Sequence, residues 1–167
     1  RDLTERKAVL PACIFYILSG LPSILISQAL YPETQASLTA PVLVQSILLA
    51  LASLFLLAGL LHLSAKILGG DGEYMHLVQG FGFASLPRLL LAVFIPFAYS
   101  MGTRIEGALG YANVVVFVWT LILGVIAIRE THEFTTGRAV GTIFVMLGIL
   151  LLLGTAIIFI IGTFFQG

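Results

Sequence analysis

Charge is what this sequence has least of. Asp, Glu, Lys and Arg together make up 10% of its 167 residues, against about 25% in a soluble domain. Apolar residues make up 59%, and so few charges cannot cover that much apolar surface in water, which excludes an ordinary soluble globule. The formal net charge is zero and the pI is about 7.0, so the basic face that a nucleic-acid partner requires is missing. Cysteine is nearly absent too. Cys13 stands alone inside an apolar run, so no disulfide can form within the chain, and the residue reads as a small core hydrophobe. Catalytic signatures are lacking: there is no Gly-x-Ser-x-Gly, no His-Glu-x-x-His, no glycine-rich phosphate loop and no intramembrane aspartate pair. Gly80-Phe81-Gly82 reads as a loose stretch of an apolar run and Trp119 as packing. No enzyme and no cofactor is expected.

What the chain does have is long apolar runs, and the mean hydropathy is +1.11. Runs of 18 or more uncharged apolar residues are what a bilayer's hydrocarbon core demands. Their recurrence predicts an all-α, polytopic bundle of five transmembrane helices forming a single domain over residues 1–167. The spans are expected at about 8–31, 42–65, 74–99, 107–128 and 139–165. Continuous apolar runs exclude the alternation of a barrel strand. The first run is too long for a cleaved signal peptide. The chain opens on Arg1 and not on methionine, which leaves room for a hydrophilic segment ahead of it. The third run is irregular. Gly80 and Gly82 loosen it, and Pro87 must free the carbonyl of Phe83, so a kink or break is expected there.

Basic residues give a direction. Arg1, Arg6, Lys7, Lys66, Arg129 and Arg138 fall on one side of these spans and Arg104 alone on the other. By the positive-inside rule the N-terminus is cytoplasmic and the C-terminus external or lumenal. Tyr31, Tyr99 and Tyr111 would lie at the external headgroups, and Tyr74 at the cytoplasmic ones.

Lipid gives apolar helices no hydrophobic reason to associate, so small residues that let backbones approach carry the packing. Gly141, Gly148, Thr155 and Gly162 recur every seven residues along the fifth span, with Gly137 ahead of them. In the first span Ser19, Ser23 and Ser27 are stacked every four, with Ala12 before them. Either these stripes join helices within one chain or between two copies, or small residues are merely common in membrane helices.

Three kinds of polar feature could carry function. Arg88 is the one charge deep in a span, just after Pro87. It is either an internal brace hydrogen-bonded to freed carbonyls, a site for an anionic headgroup or substrate, or a side chain that snorkels. No Asp or Glu lies deep in any span, so the carboxylate relay of a proton-coupled pump is missing. Most other polar chemistry gathers at the cytoplasmic ends of spans two to five: His62, Asp71, Glu73, His76, Arg129, Glu130, His132 and Glu133. Asp71, Glu73, His76, Arg88, Glu130 and His132 are therefore the candidate binding residues. Glu73 and His76 share a helical face, and Glu130 and His132 could meet them across a loop, which makes those four weak candidates for a metal. Interhelical hydrogen bonding or a docking surface for a protein or lipid explains them as well.

Gly69-Gly70-Asp71-Gly72-Glu73-Tyr74, then Gly80 to Ser85-Leu86-Pro87, then Trp119, and finally Ile128-Arg129-Glu130-Thr131-His132-Glu133 before Arg138-Ala139 follow one another in an order that resembles the Yip domain family of Ypt/Rab-interacting membrane proteins. The resemblance runs from the second span through the fifth. It implies five spans with a cytoplasmic N-terminus, agreeing with the basic-residue count. It also implies structural roles for Gly69, Gly70, Ser85 and Pro87, beside those of Gly141, Gly148 and Gly162 read above, and motif positions at Glu130 and His132. Eukaryotic members are implicated in vesicle traffic and small-GTPase binding. This chain lacks their Asp-Leu-Tyr-Gly-Pro motif, so it looks like a prokaryotic member in the plasma membrane, with the ER or Golgi and a GTPase partner expected only of a eukaryotic one. The function expected is non-enzymatic membrane organisation, or scaffolding of partners and lipids through the cytoplasmic face. The alternative is a small channel or carrier using Arg88. Expected partners are the bilayer and a second copy or another membrane protein, with no nucleic acid.

Overall fold

The computed structural model describes residues 2–20, 22, 40–100 and 105–165. Side chains of residues 2–7, 95–100, 105–106 and 165 fall outside that description. Among the described residues six α-helices follow one another: α1 (Asp2–Leu18), α2 (Ala40–Ile67), α3 (Tyr74–Ala84), α4 (Leu89–Ser100), α5 (Ile105–His132) and α6 (Thr136–Phe165), with a 3-10 turn at Leu86–Arg88 between α3 and α4. Among the described residues there is no strand. Ala40–Ile67, Tyr74–Phe94, Gly107–His132 and Thr136–Phe164 are long and apolar enough to cross a membrane, and Ala8–Leu18 is a shorter apolar helix. The fold is thus the expected all-helical membrane bundle. Most of the first expected run beyond Gly20, including Ser23, Ser27 and Tyr31, lies outside the described residues.

The third run breaks where proline dictates. α3 stops at Ala84, and the Ser85 Oγ donates to the Gly82 carbonyl at 2.6 Å. Buried Pro87 has no N–H to continue the ladder, so the chain tightens through the 3-10 turn before α4 resumes.

α1 packs chiefly on α3 and also on α2; α3 lies against α5 as well, and α6 against α2 and α5. Two contacts of α3 are backbone-close, and they correct the reading of its glycines as loosening. A Cβ at Gly82 would sit 2.6 Å from both the Cβ and the carbonyl oxygen of Ala12, and one at Gly80 would sit 2.8 Å from the Ala127 Cβ. These are close-approach positions of the kind membrane helices use. Ala12 is therefore engaged by α3. Of the long glycine series on α6, a Cβ at Gly141 would meet the Leu68 side chain at 3.7 Å, whereas one at Gly137, Gly148 or Gly162 would meet nothing within 4 Å among the described residues.

The core lies towards one end. Leu61, Ala65, Leu77, Ile128, Phe134, Ala139 and Met146 form one buried cluster, and Leu54, Ala58 and Val78 a second beside it. These residues come mainly from the end of α2, the start of α3, the end of α5 and the start of α6. That end carries the α2–α3 and α5–α6 loops.

Candidate functional site

Both helices that enter this end stop in the same way. At the end of α2, Gly69 has φ +78°, its N–H donates to Lys66 and the Gly70 N–H to Ala65, at 3.0 and 2.9 Å. That is a Schellman closure with glycine in its favoured left-handed position. At the end of α5, Glu133 has φ +52° and the Phe134 N–H donates to the Arg129 carbonyl at 2.9 Å. Here a glutamate holds the conformation that glycine tolerates better.

The two loops are pressed together backbone to side chain. A Cβ on Gly72 would collide with the Thr131 carbonyl oxygen and sit 2.7 Å from the His132 Nδ1; one on Gly70 would be 2.7 Å from Phe134 and 2.8 Å from His132. Absence of side chains here lets the Gly72 N–H donate to His132 Nδ1 at 3.0 Å. Because a backbone N–H can only donate, Nδ1 must be the unprotonated nitrogen, and neutral His132 carries its hydrogen on Nε2. A second tie runs from Arg138 Nη2, which donates to the Leu68 carbonyl at 2.7 Å.

Around these ties stands a column of rings. Tyr74 lies edge-on to His62 at 5.9 Å between centroids, His62 faces His132 at 5.3 Å, and His132 stacks on Phe134 at 5.6 Å. The Arg138 guanidinium closes the column 5.0 Å above Phe134. The Tyr74 hydroxyl donates to the Phe55 carbonyl at 2.9 Å. The column thus joins α3, α2, α5 and α6. His132 is 4% exposed, and neither its Nε2 nor the buried Nδ1 of His62 has a hydrogen-bond partner among the described residues. Beside the column a polar cavity of about 320 Å³ opens between the loops, lined by Asp71, Gly72, Thr131, His132, Glu133 and Arg138 among others.

The candidate residues are only partly brought together. Asp71 and Glu73 are exposed, Glu73 at the N-cap of α3 without capping through its side chain, and His76 is half-buried on the first turn. Glu130 is 67% exposed and accepts from the neighbouring Arg129 at 2.6 and 3.1 Å. Among the described residues no group of three or more His, Cys, Asp or Glu is placed to hold a metal ion. The foursome Glu73, His76, Glu130 and His132 is accordingly not assembled as a metal site; His132 is turned instead to His62 and Gly72. Sequence reasoning gathered His62 with the other polar residues yet did not single it out, and it passed over Phe134. A histidine in the last turns of an apolar helix is a signal for the first. Nothing in the spacing marked the second.

Arg88 belongs elsewhere. It ends the 3-10 turn, exposed, and borders a separate cavity of about 230 Å³ among α1, α2, α3, α5 and α6.

The family model of the Yip1 domain matches residues 2–164. The chain belongs to the Yip1 domain family. No curated protein and no solved structure is detectably similar to it. In this family member the glycine loop and the Glu-Thr-His stretch, far apart in sequence, are the two halves of one clasp.

Proposed function

We propose that this Yip1-family protein is a non-enzymatic membrane organiser that docks a protein partner at its loop end, with that end cytoplasmic and the N-terminus on the same side. The observation that carries the reading is the clasp. It holds a frame from which Asp71, Glu73, Glu130 and Glu133 all face outwards. A carboxylate-bearing surface on a fixed frame suits recognition, because little freedom is left to lose on binding. Lys66, Arg129 and Arg138 at the same end support its cytoplasmic side. Vesicle traffic, the family's usual setting, and a prokaryotic plasma membrane are both compatible with such a role.

The test is crosslinking in native membranes. Double replacement of Asp71 and Glu130 by Asn and Gln should lower recovery of specific partners about tenfold, as loss of one or two charged contacts does, while Arg88→Gln leaves it intact. Unchanged recovery would sink the docking surface. The second reading, a small channel or carrier, draws on the cavity bordered by Arg88, but that lining is otherwise mostly apolar. Solute flux through proteoliposomes that Arg88→Ala abolishes would favour it; sealed vesicles with folded protein would remove it.

A further inference from the structure

We propose that the break in the third span is a binding site for an anionic phospholipid, with Arg88 as its phosphate ligand. The site is separate from the loop end and does not depend on its role. Three observations converge on it. First, among the described residues the Arg88 guanidinium has no hydrogen-bond or ion-pair partner, and the carboxylates whose side chains are described, Asp71, Glu73, Glu130 and Glu133, all belong to the loop end. A guanidinium at membrane depth needs an anion, and its planar fork matches a phosphate bidentately. Among the described residues no freed carbonyl serves it. Second, the cavity that Arg88 borders is also lined by Ser85, Tyr16 and Thr120, and the Thr120 Oγ1 is buried with no partner among the described residues. A hydroxyl in that state can donate to a second phosphate oxygen. Third, a larger groove of about 590 Å³ lies at the same break, lined by Phe83, Leu86, Leu90 and Trp119, and Ala84 lines both it and the cavity. It is apolar throughout, as an acyl chain requires.

One unpaired cation at the border of a mostly apolar cavity, with an apolar groove at the same break, is complementary to an amphiphile with net negative charge. A zwitterionic lipid brings a phosphate too, but its own ammonium competes with Arg88 for it, so selectivity should follow net charge. Pro87 creates the arrangement. By ending α3 and restarting the chain through a 3-10 turn, it places Arg88 directly after Leu86 and Pro87, which line the groove.

Trp119 is the single tryptophan of the chain and lines the groove, so its fluorescence reports directly on what lies there. The full chain is reconstituted in bilayers mixing phosphatidylglycerol and phosphatidylcholine, with bromines on the acyl chains of one lipid and then of the other. Wild-type protein should show about a fivefold preference for quenching by the anionic lipid, the attraction of roughly one basic residue. Arg88→Gln should abolish that preference, Arg88→Lys should keep part of it, and Thr120→Val should weaken it. Inorganic phosphate added to the buffer should leave it unchanged. Equal quenching by both lipids in the wild type overturns the proposal, as does a preference that survives Arg88→Gln. Displacement by inorganic phosphate would overturn it in favour of a solute site. If Arg88→Gln does not fold, Thr120→Val decides: an undiminished preference in that variant overturns the proposal.

Discussion

The loop end and the membrane-spanning body of α6 use the same residue type to opposite effect. At the loop end Gly70 and Gly72 lie where any Cβ would strike His132, Phe134 or the Thr131 backbone, and Gly80 and Gly82 do the same inside α3. Gly148 and Gly162, on a more regular series, face open space among the described residues. Among the described residues of one chain, the irregular placement marks close contacts and the regular spacing does not. In a bilayer a glycine contributes to stability only where another backbone comes close enough to use the missing side chain.

The comparison is broken most forcefully at Gly72. Gly72→Ala would drive a methyl group into the Thr131 carbonyl oxygen and towards the His132 ring, and backbone cannot yield as a flexible side chain can. Overpacking costs about 1–3 kcal/mol and occasionally more, backbone contact puts this site at the upper end, and parting the loops also forfeits the hydrogen bond from Gly72 to His132. Unfolding in detergent or bicelles should show the loss. Gly82→Val should approach it in size, since the valine would meet the Ala12 carbonyl.

Next comes His132. His132→Phe keeps a ring between His62 and Phe134 but leaves the Gly72 N–H without its acceptor. An unsatisfied buried donor costs about 1–3 kcal/mol. His132→Gln, which offers a carbonyl oxygen, should recover part of the loss in the same unfolding measurement. If both variants lose equally, ring packing and not the hydrogen bond holds the clasp.

Much of this architecture was legible in the sequence, and for a physical reason. Apolar runs must match the bilayer, and Pro87 lacks a donor wherever it sits, so the helical bundle and the break could be read from residue types alone. Pairings between distant segments could not. His132 meets Gly72 across 60 positions, and the His62 contact requires α2 and α5 to dock first. Spacing on one helix suggested instead that Glu73, His76, Glu130 and His132 converge. Gly80 and Gly82 were misread because the small-residue argument was applied to regular series and not to the short irregular one, where α1 and α5 press on α3.

Arg138 offers a smaller test of the same end. Arg138→Lys keeps a charge but loses the flat guanidinium that covers Phe134 and reaches the Leu68 carbonyl. A loss of about 1–1.5 kcal/mol is expected from one charge-assisted hydrogen bond and a cation–π contact at an exposed site. Glu133→Gly should act in the other direction. The left-handed conformation at φ +52° costs a non-glycine residue about 1–2 kcal/mol, offset in part by glycine's larger entropy in the unfolded chain, so a net gain of about 0.5–1 kcal/mol should appear in the melting curve. Should the gain be absent, the Glu133 side chain must contribute contacts that glycine removes.

The smallest effect expected is the most informative for the comparison. Gly148→Ala and Gly162→Ala add a methyl group that meets nothing within 4 Å among the described residues. Alanine is favoured over glycine within a helix by about 1 kcal/mol in water. Lipid weakens that preference, because a helix there stays formed even without its neighbours. Dilute protein should therefore melt within about 0.5 kcal/mol of wild type, as substitutions without a packing consequence do. The same pair should be measured at high protein density, where a second copy could lie on this face. A loss that appears only then, together with reduced crosslinking between copies, would mean that the glycines pack between chains. A loss at both densities would assign them a neighbour within one chain, and the contrast between the loop end and the body of α6 would disappear.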